Sequence, residues 1–306
     1  MATVARERVA ATAPPAREKR KFSWLALLWI APAVILILAF FIYPLIQTLI
    51  YSFQNADSTA FVGLKNYQFV FTDPAMLDAL RNNLLWLVLG TILTVGLGLI
   101  VAVLVDRVKI EAIIKSALFV PMAISFVGAS VIWKFVYDYE PSGSTQIGLL
   151  NAFLGLFGIQ PQAWLTNPAF NNFALIVIYT WMWTGFSMVI ISAALKGIPD
   201  DVIEAAKMDG AGRFTLFWRI MVPMIAPTLG VVTTTMVINI LKIFDVIYVE
   251  TGGNYGTNVV AMEFYNQLFN FNNYGRGSAL AILLTVVVVP VMIINVRRMR
   301  REEQGR

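Results

Sequence analysis

The 306-residue chain is 58% hydrophobic and only 13% charged, with a mean hydropathy of +0.71, which leaves too little polar surface to cover a water-soluble globule. It contains neither cysteine nor histidine, so disulfides, Cys/His zinc or haem centres and His-dependent catalytic triads are excluded. The net charge of +5 comes from basic residues set beside apolar segments, a pattern that reports orientation in a lipid bilayer and gives no sign of a nucleic-acid partner.

Residues 1–23, rich in Ala, Pro, Arg and Glu, read as a disordered basic tail. Six uncharged stretches follow, each near the 20 or so apolar residues that cross a hydrocarbon core. They are Trp24–Ile50, Leu84–Val105, Ser116–Trp133, Phe173–Leu195, Met224–Leu241 and Gly277–Val296. The third and fifth are short, and each is expected to extend past a lysine, to Val136 beyond Lys134 and to Tyr248 beyond Lys242, with the long lysine stem carrying its charge to an interface. The first stretch is too long for the apolar region of a signal peptide and no A-x-A cleavage site follows it, so it reads as a retained span. The reading is an all-α membrane protein: one six-span domain, 24–296, between the tail and a basic C-terminal segment, 297–306.

Basic residues set the topology. Of the 23 lysines and arginines, 18 fall in the two terminal segments and in the loops Asp106–Lys115 and Lys196–Val222. That side is predicted to be cytoplasmic, with both termini inside. On the other side, Asp73 and Pro74 are suited to start a short helix leading into the second span, and a short interfacial helix is expected between Gly148 and Gly158.

The cytoplasmic loop "EAAKMDGAGRFTLFWRIMVP", Glu204–Pro223, is charged and glycine-punctuated. Pro199 suits a first helical position, Asp200 and Asp201 favour the positive N-terminal end, and Lys207 falls near the last turn. Gly210 then stops the helix, and a second helix from Arg213 to Met221 puts Phe214, Phe217 and Met221 at helical spacing. The result is a two-helix hairpin on the surface. Ala205, Ala206, Gly210, Ala211 and Gly212 leave room for another protein's backbone, and Glu204, Lys207, Asp209 and Arg213 offer polar contacts. A surface helix that merely satisfies its own caps is the plainer alternative.

These residues resemble the EAA loop of permease subunits in binding-protein-dependent ABC importers: E-A-A, then D-G, then an ending in "IMVP". The resemblance implies the fold of a type I importer permease and a coupling helix, formed by Glu204, Ala205, Ala206, Asp209 and Gly210, that docks on an ATP-hydrolysing subunit. The segments "FVGLKNYQFVFTDP", "FVPMAISFVGASVIWKFVYD" and "KIFDVIYVETGGNYGTNVVAMEFYNQLF" are similar to those of sugar permeases of the maltose-transporter class, the final third most like α-glucoside permeases. Implied partners are a second permease, a pair of ATPase subunits, an extracytoplasmic solute-binding protein and an oligosaccharide substrate. No G-x-x-x-x-G-K-[ST] phosphate loop occurs in the sequence, so the chain is expected to be non-enzymatic, with no cofactor, metal or catalytic residue of its own.

Substrate contacts are expected on the fifth and fourth spans. Asn239, Lys242 and Asp245 fall three apart on one helical face, and ionisable groups within spans are functional candidates; the alternative is that Lys242 and Asp245 pair with each other. Tyr179, Trp181, Trp183 and Phe186 offer an aromatic platform for a sugar, although aromatic residues near a span end often serve as interfacial anchors. By the resemblance, Asn239 and Phe186 match sugar contacts of the maltose permease, and Lys242 stands where that relative has an amide. The rival readings are a channel or a secondary transporter working without an ATPase. The uncharged span cores lack the carboxylates that ion coupling uses, and a channel has no evident need of the hairpin.

Overall fold

A computed structural model describes residues 24–106 and 108–304, and the side chains of residues 28–106 and 108–297. The tail expected at 1–23 and most side chains of the C-terminal segment lie outside the described residues. Among the described residues, regular structure is helical apart from a single antiparallel bridge between Gln54 and Phe61. The chain forms two units, Met1–Ile46 and Gln47–Arg306. In the first, α1 (Trp24–Ile37) runs on through a π-helical turn, Leu38–Ile42. Its Trp29, Phe40 and Phe41 are exposed, as befits an apolar helix surrounded by lipid or by another chain.

In the second unit, α2 (Lys65–Thr72) leads to α3 (Pro74–Val105). Asp73 caps α3, accepting from the amides of Ala75 and Met76 at 3.0 and 3.4 Å, with Pro74 as the first helical residue. The short helix expected here is therefore the first part of an unbroken 32-residue helix. With no Gly or Pro between Asp78 and Leu89 to interrupt the ladder, the helix carries straight on into the span.

The expected third span is bent in the structure. α4 (Glu111–Phe119) passes into a 3-10 turn, Val120–Ala123, and α5 (Phe126–Val136) restarts at 104° to it. Pro121 cannot donate to the helical ladder, Ile124 is extended, and the Ser125 hydroxyl accepts from the Gly128 amide at 3.1 Å, making a fresh N-cap. Neither half is long enough to cross a bilayer alone.

After α6 (Leu149–Gly155), the long α7 (Asn171–Lys196) is the most buried of the candidate spans. α3 and α7 pack so closely at Gly98 that a Cβ there would lie 2.5 Å from the Ser187 Cβ. The hairpin follows as α8 (Asp200–Met208) and α9 (Arg213–Met224), the second arm partly π-helical. α10 (Ala226–Leu241) then leaves α9 at 69°. The fifth span, expected to continue to Tyr248, breaks at Lys242–Phe244 before α11 (Asp245–Glu250). α12 (Val260–Tyr265) and α13 (Tyr274–Gln304) complete the chain, the last carrying helix on into the C-terminal segment.

Three apolar clusters hold this unit together. One joins Trp86, Tyr179, Met236, Ile240 and Ile247. Another, toward the hairpin, joins Ala102, Met188, Ile191, Ile198, Ile203 and Val232. The third seats Val70, Met76 and Ala79 against Val260 and Leu280. Ile203 thus anchors the first arm of the hairpin directly in the span core.

Candidate functional site

The hairpin turn is built by hydrogen bonds that the sequence specifies. Pro199 is the cap of α8, one place earlier than expected, because its ψ of 136° is extended; the helix starts at Asp200. At the other end, the Gly210 amide donates to the Lys207 carbonyl and the Ala211 amide to the Ala206 carbonyl, both at 3.0 Å. This reciprocal pair is a Schellman closure, and it requires the φ of +81° that Gly210 adopts. Gly212 then caps α9.

Among the described residues, the outer surface of that turn is exposed. Among the described residues, the side chains of Glu204, Lys207, Asp209 and Arg213 make no hydrogen bond or ion pair. Met208 is 88% exposed and Phe214 77%, flanking the turn from its two arms. Phe217 and Met221 instead face inward and are partly buried. Glu204, Ala205, Asp209 and Gly210 are exposed, but Ala206 is buried. Of the residues expected to form a docking element, Ala206 therefore packs against the core, because it lies three residues after the core residue Ile203 on the same helical face.

The base of the hairpin is stiff. Glu111 receives Lys115 at 2.5 Å and Lys196 at 2.6 Å, and Lys115 also donates to the Ser192 hydroxyl. This cluster links α4 to the end of α7 beside a cavity of about 290 Å³ bounded by Asp106, Asp200, Ile203 and Met221. The opposing charges hold the two helix ends together where the hairpin departs.

The expected substrate residues are distributed as two pairs. Trp183 and Phe186 meet edge to face on α7 with ring centroids 5.4 Å apart, both partly buried. Phe126 and Tyr179 extend the aromatic group at 6.4 and 6.2 Å from Trp183. The Trp183 Nε1 is buried with no acceptor among the described residues. Tyr179 itself is fully buried, so it belongs to the core, and Trp181 turns away to pack on Trp133.

Asn239 is half-buried in the last turn of α10, and Lys242 is exposed at its C-cap. No hydrogen bond among the described residues joins this pair to Trp183 or Phe186. The helical face expected to hold Asn239, Lys242 and Asp245 is interrupted, since Phe244 has φ −141° and ψ −57° and Asp245 starts a separate helix. Lys242 and Asp245 make no ion pair with each other.

Two features of the opposite end escaped the sequence reading. Asparagines at the span ends tie down the glycine-rich loop 251–258. Asn82 donates to the carbonyls of Gly256 and Asn258 at 2.7 and 2.8 Å, Asn171 to Tyr255 at 2.7 Å and Asn172 to Gly256 at 3.2 Å. Trp86 in turn donates to Asn172, and Asn83 accepts from the Val260 amide. The signal was a run of asparagines bordering apolar stretches, which spacing alone did not assign to a partner. The other feature is Glu250 at the end of α11, beyond the fifth span. It is buried with neither carboxylate oxygen hydrogen-bonded. Burial pushes its carboxyl up to about 7, against the opposing pull of Lys134.

Residues 94–301 match the family described as binding-protein-dependent transport system inner membrane component. The chain is 57% identical over 279 residues to the osmoprotective compounds uptake permease protein GgtC of Synechocystis sp., covering 91% of this chain and all of that one. It is 46% identical to the alpha-glucoside transport system permease protein AglF of Rhizobium meliloti, covering 91% of this chain and 83% of that one. In fold it resembles a chain of a bacterial ABC transporter involved in the import of alginate, with a TM-score of 0.75 at 24% identity over 91% of this chain and 96% of that one. With its bent spans and exposed hairpin, the chain belongs to the family of inner membrane components of binding-protein-dependent transport systems.

Proposed function

We propose that this chain is the permease subunit of an ATP-driven saccharide importer, coupled to an ATPase through the hairpin Glu204–Arg213. The observation that carries the reading is the hairpin surface: four side-chain charges without intrachain partners and two exposed apolar side chains around a rigid Schellman turn. A surface of that kind offers charged side chains for polar complementarity and exposed apolar side chains as anchors. ATP-driven closure of the ATPase pair moves two such hairpins, and the Glu111 cluster passes the movement to α4 and α7.

The hairpin end is then cytoplasmic, together with both termini, in keeping with the distribution of basic residues. A second permease completes the path, so that the substrate is held between two subunits. An extracytoplasmic binding protein delivers the substrate to the opposite end. The related alginate transporter has been seen in complex with a pentasaccharide-bound periplasmic protein, which supports this arrangement. The similar permeases named for alpha-glucosides and for osmoprotective compounds support an α-glucoside as the substrate class to test first.

The test is co-purification from native membranes in mild detergent beside Glu204→Lys. Recovery of a second permease and an ATPase, with the ATPase depleted at least about tenfold in the variant, supports the reading. Recovery of the chain alone, or of an ATPase unaffected by the variant, contradicts it. For the substrate residues, Asn239→Ala and Phe186→Ala are expected to weaken uptake of a labelled α-glucoside, and unchanged uptake in both assigns the contacts to the second permease.

A further inference from the structure

At the end opposite the hairpin, a groove of about 750 Å³ runs between the start of α3 and the start of α7. Its lining changes character along the helix axis. Asp78, Arg81 and Asn82 border its outer end, and Leu84, Val88 and Phe173 line its deeper part. At 1.5 Å per residue, Arg81 and Val88 are separated by roughly 10 Å along α3. Arg81 immediately precedes the 24 uncharged residues Asn82–Val105, so it stands at the level where the hydrocarbon begins and headgroups lie.

The floor of the groove is fixed. Asn82 and Asn172 both donate to the Gly256 carbonyl, so the polar groups there are satisfied and the wall does not collapse. Its rim is unsatisfied: the side chains of Asp78 and Arg81 make no ion pair or hydrogen bond among the described residues, although both are exposed. Being three apart on α3, they present an anion and a cation on one face. Below them, Leu84, Val88 and Phe173 are exposed apolar side chains.

We propose that this groove binds a zwitterionic phospholipid carrying a primary ammonium group. The headgroup phosphate meets Arg81, the ammonium meets Asp78, and one acyl chain lies along Leu84, Val88 and Phe173. The order of charge, polar floor and apolar wall matches the order of groups in a lipid standing along the membrane normal. An anionic phosphatidylglycerol satisfies Arg81 but places its remaining polar groups against the Asp78 carboxylate without a cation. Phosphatidylcholine carries a cation that cannot donate a hydrogen bond. Assignment to the outer leaflet rests on the orientation proposed above; the site itself does not.

The experiment is native mass spectrometry of the purified, delipidated assembly titrated separately with phosphatidylethanolamine, phosphatidylglycerol and phosphatidylcholine of matched chains. Phosphatidylethanolamine is expected to be retained several-fold better than the other two. Arg81→Ala lowers its retention about tenfold, and Asp78→Asn removes the preference over phosphatidylglycerol without abolishing binding. Val88→Trp, which fills the apolar wall, reduces retention of all three. Equal retention of the three lipids by the wild type, or retention unaltered in Arg81→Ala, overturns the proposal. So does a photo-crosslink from a single cysteine introduced at Val88 that captures a protein helix and no lipid. Glu204→Lys leaves lipid retention unchanged while testing the ATPase connection, so the two readings fail separately.

Discussion

The two ends of the Gln47–Arg306 unit spend their polar groups in opposite ways. At the loop end, asparagine amides on α3 and α7 are turned inward onto backbone carbonyls of the segment 251–258. At the hairpin end, charged side chains at the turn are exposed and make no hydrogen bond or ion pair among the described residues. Buried polar groups must be paired, so the first pattern makes a self-contained, rigid cap. Exposed charges carry no such obligation, so the second leaves a surface free for a partner. The contrast separates residues whose polar groups are used within the fold from residues whose charges are left exposed at its surface.

Substitutions at the two ends should therefore fail in different assays. The largest loss of stability is expected for Asn82→Ala, which removes two hydrogen bonds and leaves the Asn258 carbonyl short of a donor in a buried place. Thermal unfolding of the purified protein should report a loss of about 2–4 kcal/mol. A variant as stable as wild type shows that the loop is held by other means. Gly210→Val comes next: a β-branched residue at φ +81° costs about 1–2 kcal/mol. Its main consequence should be loss of substrate-dependent transport with the protein still folded. Wild-type uptake in that variant would separate the turn geometry from coupling.

Glu250 gives a smaller, pH-dependent effect. Its folded carboxyl is raised to about 7 from 4.5, so the native state holds the proton more tightly than the unfolded chain. The associated stability is fully present below about pH 4.5, declines as pH rises and is gone above about pH 7. Allowing for solvent screening, the difference is about 1 kcal/mol. Glu250→Gln should flatten the fall in thermal stability between pH 5 and 8; an unchanged slope shows that another group governs it. The smallest change in stability is expected for Glu204→Lys, within about 0.5 kcal/mol because the side chain touches nothing, although ATPase recovery falls sharply. If that variant unfolds instead, the hairpin belongs with the loop end as structural.

Much of this organisation was legible in the chain. Uncharged length marked the helices that are candidates to cross a membrane, and the pairing of Asp73 with Pro74 marked the start of α3. Gly210 announced the hairpin turn, because only glycine adopts its backbone angle without strain. The interruptions were harder to read. "FVPMAIS" is as apolar as its surroundings, yet Pro121 and the Ser125 cap turn the third span through 104°. Hydropathy counts transfer energy and is insensitive to the direction of the ladder. The break after Lys242 escaped for the same reason, and with it the expected face joining Asn239 to Asp245.

The sequence by itself determined composition-level and local properties: the apolar stretches of a membrane protein, the cap at Asp73 and the hairpin turn at Gly210. Each depends on a residue and its immediate neighbours, whose solvation and backbone preferences travel with them. Tertiary structure alone decided which polar groups were already satisfied. Asn82 reaches carbonyls more than 170 residues away, Ala206 is hidden while Ala205 is open, and the charges of Glu204 and Asp209 remain free. Hydrogen-bond satisfaction is a property of positions brought together in space, and no local pattern records it.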